Sequence, residues 1–328
     1  MRHLQNLRKE FNISIPPDKE GFIGRECPVA DCEGYFKLQQ GTGLKGENLP
    51  CHCPYCGHKA ASNNFATRAQ LEYAKSLVLR EVTGAILKDL KALEFDHRPR
   101  GGFGIGISMK VSGQPTPIRH YRERKLETEV VCDKCTLRYT IYGVFGFCPD
   151  CGVHNSLQIL NKNLELVQKL LEVAKTQESQ VAQHLIENAL EDCVSAFDGF
   201  GRETCRVFAS KASKPEKAEG IRFQNVSAAR DRVREQFGVD FAEAIDAQAW
   251  MQILRAFQKR HLLAHKMGVI DEDYLSVTGE SRSLLGRKVS VCATEVREVV
   301  ADLKGLGSCL VTSLAAKIMT QVTITGPI

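Results

Sequence analysis

Cys132-Asp133-Lys134-Cys135 and, twelve residues further on, Cys148-Pro149-Asp150-Cys151-Gly152 decide how the first half of this chain folds. Each Cys-x-x-Cys pair lets two thiolates chelate from a single turn. Two pairs complete a tetrahedron, so the spacing predicts a zinc site. Four cysteine ligands leave no open coordination position, so the ion is read as a brace and not as a catalyst. Gly152 suits the tight backbone after the second pair. The spacer, 136–147, is β-branched and aromatic, which predicts a hairpin turning at Gly143.

A less regular version lies upstream. Cys27-Pro28-Val29-Ala30-Asp31-Cys32 has a four-residue gap, and Cys51-His52-Cys53-Pro54-Tyr55-Cys56-Gly57-His58 follows it. Cys53-Pro54-Tyr55-Cys56-Gly57 repeats the form of Cys148-Pro149-Asp150-Cys151-Gly152. The expected ligands of a second zinc are therefore Cys27, Cys32, Cys53 and Cys56, with Cys51, His52 or His58 open as a replacement for one of them. Both clusters resemble the zinc-ribbon class. That implies two small metal-folded modules and two structural Zn²⁺ ions per chain. The class holds nucleic-acid binders and protein-contact modules alike, so it does not decide function.

The 328 residues are 43% hydrophobic and 25% charged, an ordinary globular composition with room for two or three domains. The formal net charge of +5 is compatible with nucleic acid without demanding it. The first ten residues lack the apolar core of a secretory signal, and no run of eighteen apolar residues suggests a membrane span. A cytoplasmic protein is expected, in which thirteen cysteines read as metal ligands or core residues and not as disulfides. Cys193, Cys205, Cys292 and Cys309 fall on helical patterns and are expected to be buried.

The fold class that follows is mixed: zinc ribbons, small and β with one helix, then an all-α bundle. The expected division is ribbon 1 over 1–65, a connecting helix over 66–97, an extended segment with ribbon 2 over 98–155, and the helical domain over 156–328. In the connecting helix, Leu71, Ala74, Val78, Val82, Ile86, Leu90 and Leu93 recur at helical steps and predict an apolar face. Alternation at Ile105, Ile107, Met109 and Val111 predicts a strand, and 118–131 reads as another. Arg98, Arg100, Arg119, Arg122, Arg124 and Lys125 share one stretch with only Glu123 against them. They read either as a phosphate-contacting strip or as a solvated face. Helices are expected over 160–174, 181–208, 227–237 and 246–268. Gly199 and Gly201 threaten a bend in the second of these, and a final helix carrying Val296, Val299, Leu303, Leu310 and Leu314 is interrupted at Gly305 and Gly307.

The third motif is Arg260-His261-Leu262-Leu263-Ala264-His265, followed by Gly268-Val269-Ile270-Asp271-Glu272-Asp273-Tyr274-Leu275. Arginine grips two phosphate oxygens through its planar fork, and histidine exchanges a proton near neutral pH. Over about 177–318 the chain resembles the HEPN family of α-helical domains. Their signature of arginine, a neighbouring polar residue and a histidine is filled by Arg260, His261 and His265. The resemblance implies a metal-independent ribonuclease that works as a homodimer on RNA, in the setting of a toxin or antiviral defence effector. Residues five apart on an ideal helix point roughly 140° away from each other. Arg260 and His265 then share a cleft only if the arginine reaches round or the helix loosens before Gly268. Two other readings stand beside this one. One is a non-catalytic module whose ribbons bind nucleic acid or a regulatory protein. The other is a metal-dependent hydrolase using His261 and His265 with Asp271 or Glu272.

Overall fold

The computed structural model describes residues 2–8, 10–46, 49–97 and 107–322, with side chains as far as 316. Arg98 and Arg100 of the basic stretch, and Ile105 of the expected strand, lie outside the described residues. The chain divides into two compact units, Met1–Val153 and His154–Ile328. Both cysteine clusters and the helix between them fall in the first.

That unit begins with α1 (Arg2–Gln5), β1 (Phe22–Glu26), β2 (Tyr35–Gln39), β3 (Pro50–His52) and β4 (Lys59–Ala61). It continues with α2 (Arg68–Lys91), β5 (Phe95–His97), β6 (Ile107–Met109), β7 (Thr128–Val131) and β8 (Arg138–Ile141). β1 pairs antiparallel with β2 around Cys27 and Cys32, and β7 with β8 around Cys132 and Cys135. β2 then pairs with β8, giving one sheet of order β1-β2-β8-β7. Its register sets Lys37 opposite Thr140 and Leu38 opposite Tyr139. Lys37 stands five residues after Cys32 and Thr140 five after Cys135. The two hairpins therefore meet about a local pseudo-two-fold axis. Ile23, Phe36, Phe65, Leu137, Tyr139 and Ile141 fill the core of this unit.

The hairpin forms around the first cysteine pair and not inside the 136–147 spacer. The partner of β8 is β7, upstream of Cys132. The backbone bonds that close the cysteine turn send the chain straight back on itself, so pairing starts there. Gly143 does turn the chain, at φ 77°.

The expected apolar face of α2 is only partly covered, and its most buried positions lie elsewhere. Leu71, Ile86 and Leu93 are exposed and Ala74, Val78, Val82 and Leu90 half-buried, whereas Gln70, Ser76, Ala85 and Asp89 are buried. Segment 115–124 explains the packed polar positions. It is not a strand, and its N–H groups need side-chain acceptors. Thr116 N–H donates to Thr83 Oγ1 at 3.0 Å, and Arg119 N–H to Ser76 Oγ at 2.9 Å. Asp89 likewise caps α1, accepting from the N–H groups of His3 and Leu4 at 2.9 Å each. Helix α2 opens with a capping box between Thr67 and Gln70.

The second unit contains α3 (Ser156–Ala174), α4 (Ser179–Val207), α5 (Pro215–Glu219), α6 (Val226–Phe237), α7 (Ala247–Lys266), α8 (Glu272–Thr278) and α9 (Ala293–Val322). α3, α4 and α9 pack on one another, and α7 lies against α4 and α9. Leu160, Leu164, Val167, Leu171 and Ala174 face the core at the spacing their sequence predicts. Phe197 sits at the centre, with the rings of Phe200, Phe223, Phe241 and Phe257 all within 6.4 Å of its own. Helix α9 is long and apolar enough to cross a membrane by length and composition. Its Val296, Val299, Val300, Leu303, Leu306, Leu310 and Leu314 are all buried in the helical core.

The glycines do not break their helices. Gly199 and Gly201 lie inside α4, and Gly305 and Gly307 inside α9. A Cβ on Gly201 would come within 2.5 Å of the Phe223 ring, and one on Gly307 within 2.6 Å of Leu160. These two positions are glycine because a neighbour occupies the space. Of the isolated cysteines, Cys193 and Cys205 are buried as expected, but Cys292 is exposed, just ahead of α9, and Cys309 half-buried.

Candidate metal centres and a candidate active site

The sulfurs of Cys27, Cys32, Cys53 and Cys56 all lie within 4.8 Å of one another, and so do those of Cys132, Cys135, Cys148 and Cys151. Between knuckles, Cys27 to Cys56 and Cys32 to Cys53 are 3.7 Å apart, Cys132 to Cys151 3.7 Å, and Cys135 to Cys148 3.4 Å. A tetrahedron with metal–sulfur bonds of about 2.3 Å has edges of roughly 3.8 Å. A disulfide would need about 2.05 Å. Each set is thus spaced to hold one metal ion. Burial pushes the Cys27 and Cys135 thiols up to about 11 and those of Cys53 and Cys148 up as well. Thiolates crowded this closely need a cation to balance them.

The knuckles share one backbone plan. Gly57 N–H donates to Cys53 O at 3.0 Å, Thr136 to Cys132 at 2.8 Å, and Gly152 to Cys148 at 2.9 Å. The donor residue is left-handed in all three, at φ 71°, 63° and 67°. Glycine takes that conformation freely, whereas Thr136 does not. The wider Cys27 knuckle closes on Glu33, at φ 42°.

Two knuckles also clasp each other. His52 N–H donates to Pro149 O at 2.7 Å, and Phe147 N–H to Pro54 O at 2.8 Å. Each donor precedes one cysteine pair and each acceptor lies inside the other, so the bonds are reciprocal about the same local axis as β2 and β8. Of the three residues left open as substitutes, Cys51 is buried in β3. His52 turns its Nδ1 to Pro149 O at 3.2 Å, and the His58 ring lies 6.4 Å from that of Phe65.

The described part of the basic strip is partly tied down. Arg119 pairs with Glu72 at 2.8 Å, and the Arg124 guanidinium stands 5.0 Å over the Tyr35 ring. Arg122 and Lys125 make no ion pair among the described residues. Glu123 is the structural hub of the segment. Its carboxylate accepts from Gly24 N–H at 2.8 Å, from Gln70 Nε2 at 3.1 Å and from the Tyr35 hydroxyl at 2.5 Å. Sequence spacing gave no sign of this, because its partners lie far away along the chain.

The Arg260 motif occupies the last two turns of α7. The helix stays regular through Lys266, with Met267 left-handed at its end and Gly268 N–H returning to Leu262 O at 2.9 Å. No loosening brings Arg260 and His265 together within one helix. His261 and His265 share a face, with ring centroids 5.0 Å apart, and both are exposed. The Arg260 Nε is buried and has no hydrogen-bond partner among the described residues. An unpaired buried guanidinium nitrogen is costly and calls for an explanation; Arg25 and Arg255 carry orphaned Nε atoms as well. Lys266 pairs with Asp271, which caps α8 by accepting from Tyr274 N–H at 2.8 Å. The Lys266 and His261 charges add to these bonds in holding the Asp271 carboxyl below its usual range. Asp271, which the sequence offers as an acid partner for His261 and His265, is instead held by Lys266 and by the cap of α8.

Comparison with protein-family models, curated proteins and solved structures finds no match to this chain.

Proposed function

We propose that this protein is a metal-independent endoribonuclease of HEPN type, with two structural zinc ions in its N-terminal unit and a homodimeric helical unit. The observation that carries the reading is the end of α7. There an arginine with an orphaned, buried Nε adjoins two exposed histidines on one helix face. Because α7 is regular, Arg260 and His265 of one copy point apart, which favours a site assembled from two copies. Exposed Met267, Val269, Val277 and Leu285 surround the helix end and supply apolar surface for that pairing.

In this reading one His265 takes the proton from a ribose 2′-hydroxyl. The 2′-oxygen bonds to phosphorus, and the bond from phosphorus to the 5′-oxygen breaks. The leaving oxygen takes a proton from a second imidazole, and Arg260 stabilises the charge gathered on the phosphate. His261 orients the phosphate or His265. Products then carry a 2′,3′-cyclic phosphate and a 5′-hydroxyl, and DNA is spared. Zinc fits the cysteine sets because four thiolates at tetrahedral spacing suit it, and because no disulfide links any cysteine. A reducing, cytoplasmic setting goes with that choice.

The test is RNA cleavage by the purified chain with and without a chelator. His265→Ala should lower the rate by ~10²–10⁴-fold, and Arg260→Lys should impair it by losing the two-pronged grip. If His265→Ala cuts as well as the unmodified chain, the helix end is structural. The binding-module reading then replaces this one.

A further inference from the structure

A groove of about 850 Å³ lies between the N-terminal residues 3–8 and 11–14 and one side of α2. Arg8, Arg80, Lys88 and His3 line it, with Glu81 the one acid among them. Arg8, Arg80 and Lys88 make no ion pair or side-chain hydrogen bond among the described residues. This contrasts with the cleft of about 380 Å³ beside Arg122 and Arg124, where Glu26, Glu72 and Glu123 oppose the arginines. The larger groove therefore carries uncompensated positive charge in a concave surface, which concentrates anions.

Its floor is a glycine. Arg80, Gly84 and Lys88 follow one another at four-residue steps on one helix face. A Cβ on Gly84 would meet only Pro115, at 3.8 Å, an ordinary contact. Packing inside the protein does not require glycine there, and glycine costs a helix stability relative to alanine. What its absent side chain provides is close approach to the helix between two cations. The half-buried Phe11 ring adds an aromatic surface of the kind on which bases stack.

We propose that this groove binds nucleotide phosphates, with Arg8, Arg80 and Lys88 gripping the phosphates, Gly84 admitting them to the helix surface and Phe11 taking a base. The ligand is either a free nucleotide or a segment of single-stranded nucleic acid. This site is independent of the α7 helix end.

Fluorescence anisotropy on the full chain tests it with two probes. One is a labelled nucleoside triphosphate, and the other a labelled oligoribonucleotide with 2′-methoxy groups, which 2′-hydroxyl attack cannot cut. Saturable binding of either supports the groove, and which one binds identifies the source of the phosphates. Arg80→Gln with Lys88→Gln should weaken binding at least ~10-fold, since hydrogen bonds to charged groups are worth that much or more. For the oligonucleotide, the slope of log affinity on log salt should be near −2 for three cations, at about −0.7 each, and should flatten in the double variant. Gly84→Leu leaves the charges in place, fills the floor and should weaken binding to a similar degree. Lys75→Gln, on another face of α2, is the control for general charge. The proposal is overturned if neither probe binds, if the double variant or Gly84→Leu binds as the unmodified chain does, or if Lys75→Gln loses as much.

Discussion

Thr136 holds the position that glycine fills in the two Cys-Pro-x-Cys-Gly knuckles, at φ 63° where a β-branched residue is strained. Such strain costs of order 1–3 kcal/mol. Replacing the threonine also frees the unfolded chain by about 0.4–1 kcal/mol and removes its hydroxyl bond to Cys135 O at 2.6 Å. Thr136→Gly should therefore raise stability by roughly 0.5–1 kcal/mol, the part of the strain left over, read as a higher unfolding midpoint of the metal-loaded protein. The two sets of four clustered cysteines were legible because metal chemistry imposes a spacing. Thr136 was not, because nothing in its residue type announces a left-handed backbone. Glu203 gives a second expectation at this scale. Burial would raise its carboxyl, but hydrogen bonds from His154 and Arg206 outweigh that and hold it down at about 2. A depressed carboxylate stabilises the fold above its ordinary value of 4.5, and that contribution is lost as pH falls from there through about 2. At neutral pH it is worth on the order of 2–3 kcal/mol, somewhat less because Arg206 is exposed. Glu203→Gln should lower stability at pH 7. The gap between variant and unmodified chain should shrink through that window.

At the scale of elements, periodicity located α3, α4, α6, α7 and α9 well, since each buries an apolar stripe against the others. It misjudged α2. The apolar face of that helix is only half-covered, and its small polar side is packed, because an irregular neighbour needed hydrogen-bond acceptors more than apolar cover. Glycine within helices was also misread as a break. Two of the four sit under a close neighbour and the others do not. Gly201→Ala should cost about 1–3 kcal/mol, since the new methyl must displace the Phe223 ring. Gly199 has nothing within 4 Å of such a methyl, so Gly199→Ala should instead gain about 1 kcal/mol. Thermal unfolding of the two variants side by side checks both signs. Equal effects would mean helix propensity alone decides. The strand expected over 118–131 shrinks to Thr128–Val131, because the N–H groups of Arg119 and Arg124 bond to side chains on α2 and β2.

For the whole molecule, the sequence separated two ribbons that the fold joins. Each cysteine set reads locally as complete, and only pairing between β2 and β8 reveals that they share a sheet. That pairing, with the reciprocal bonds His52 to Pro149 and Phe147 to Pro54, makes the N-terminal unit resemble a small symmetric dimer closed within one chain. Its consequence lies in how metal leaves. If each set holds an ion, releasing one slackens a hairpin whose inner strand is the other ribbon's partner, so the second ion loses part of its own support. Intermediates holding a single ion should be scarce. Native mass spectrometry during slow chelation should find chains with two ions or none, and Cys132→Ser should weaken retention at Cys27, Cys32, Cys53 and Cys56 as well as at its own site. A large, persistent one-ion population would show two independent modules. If the ions leave together, metal supply acts on this protein as a switch and not as a dial.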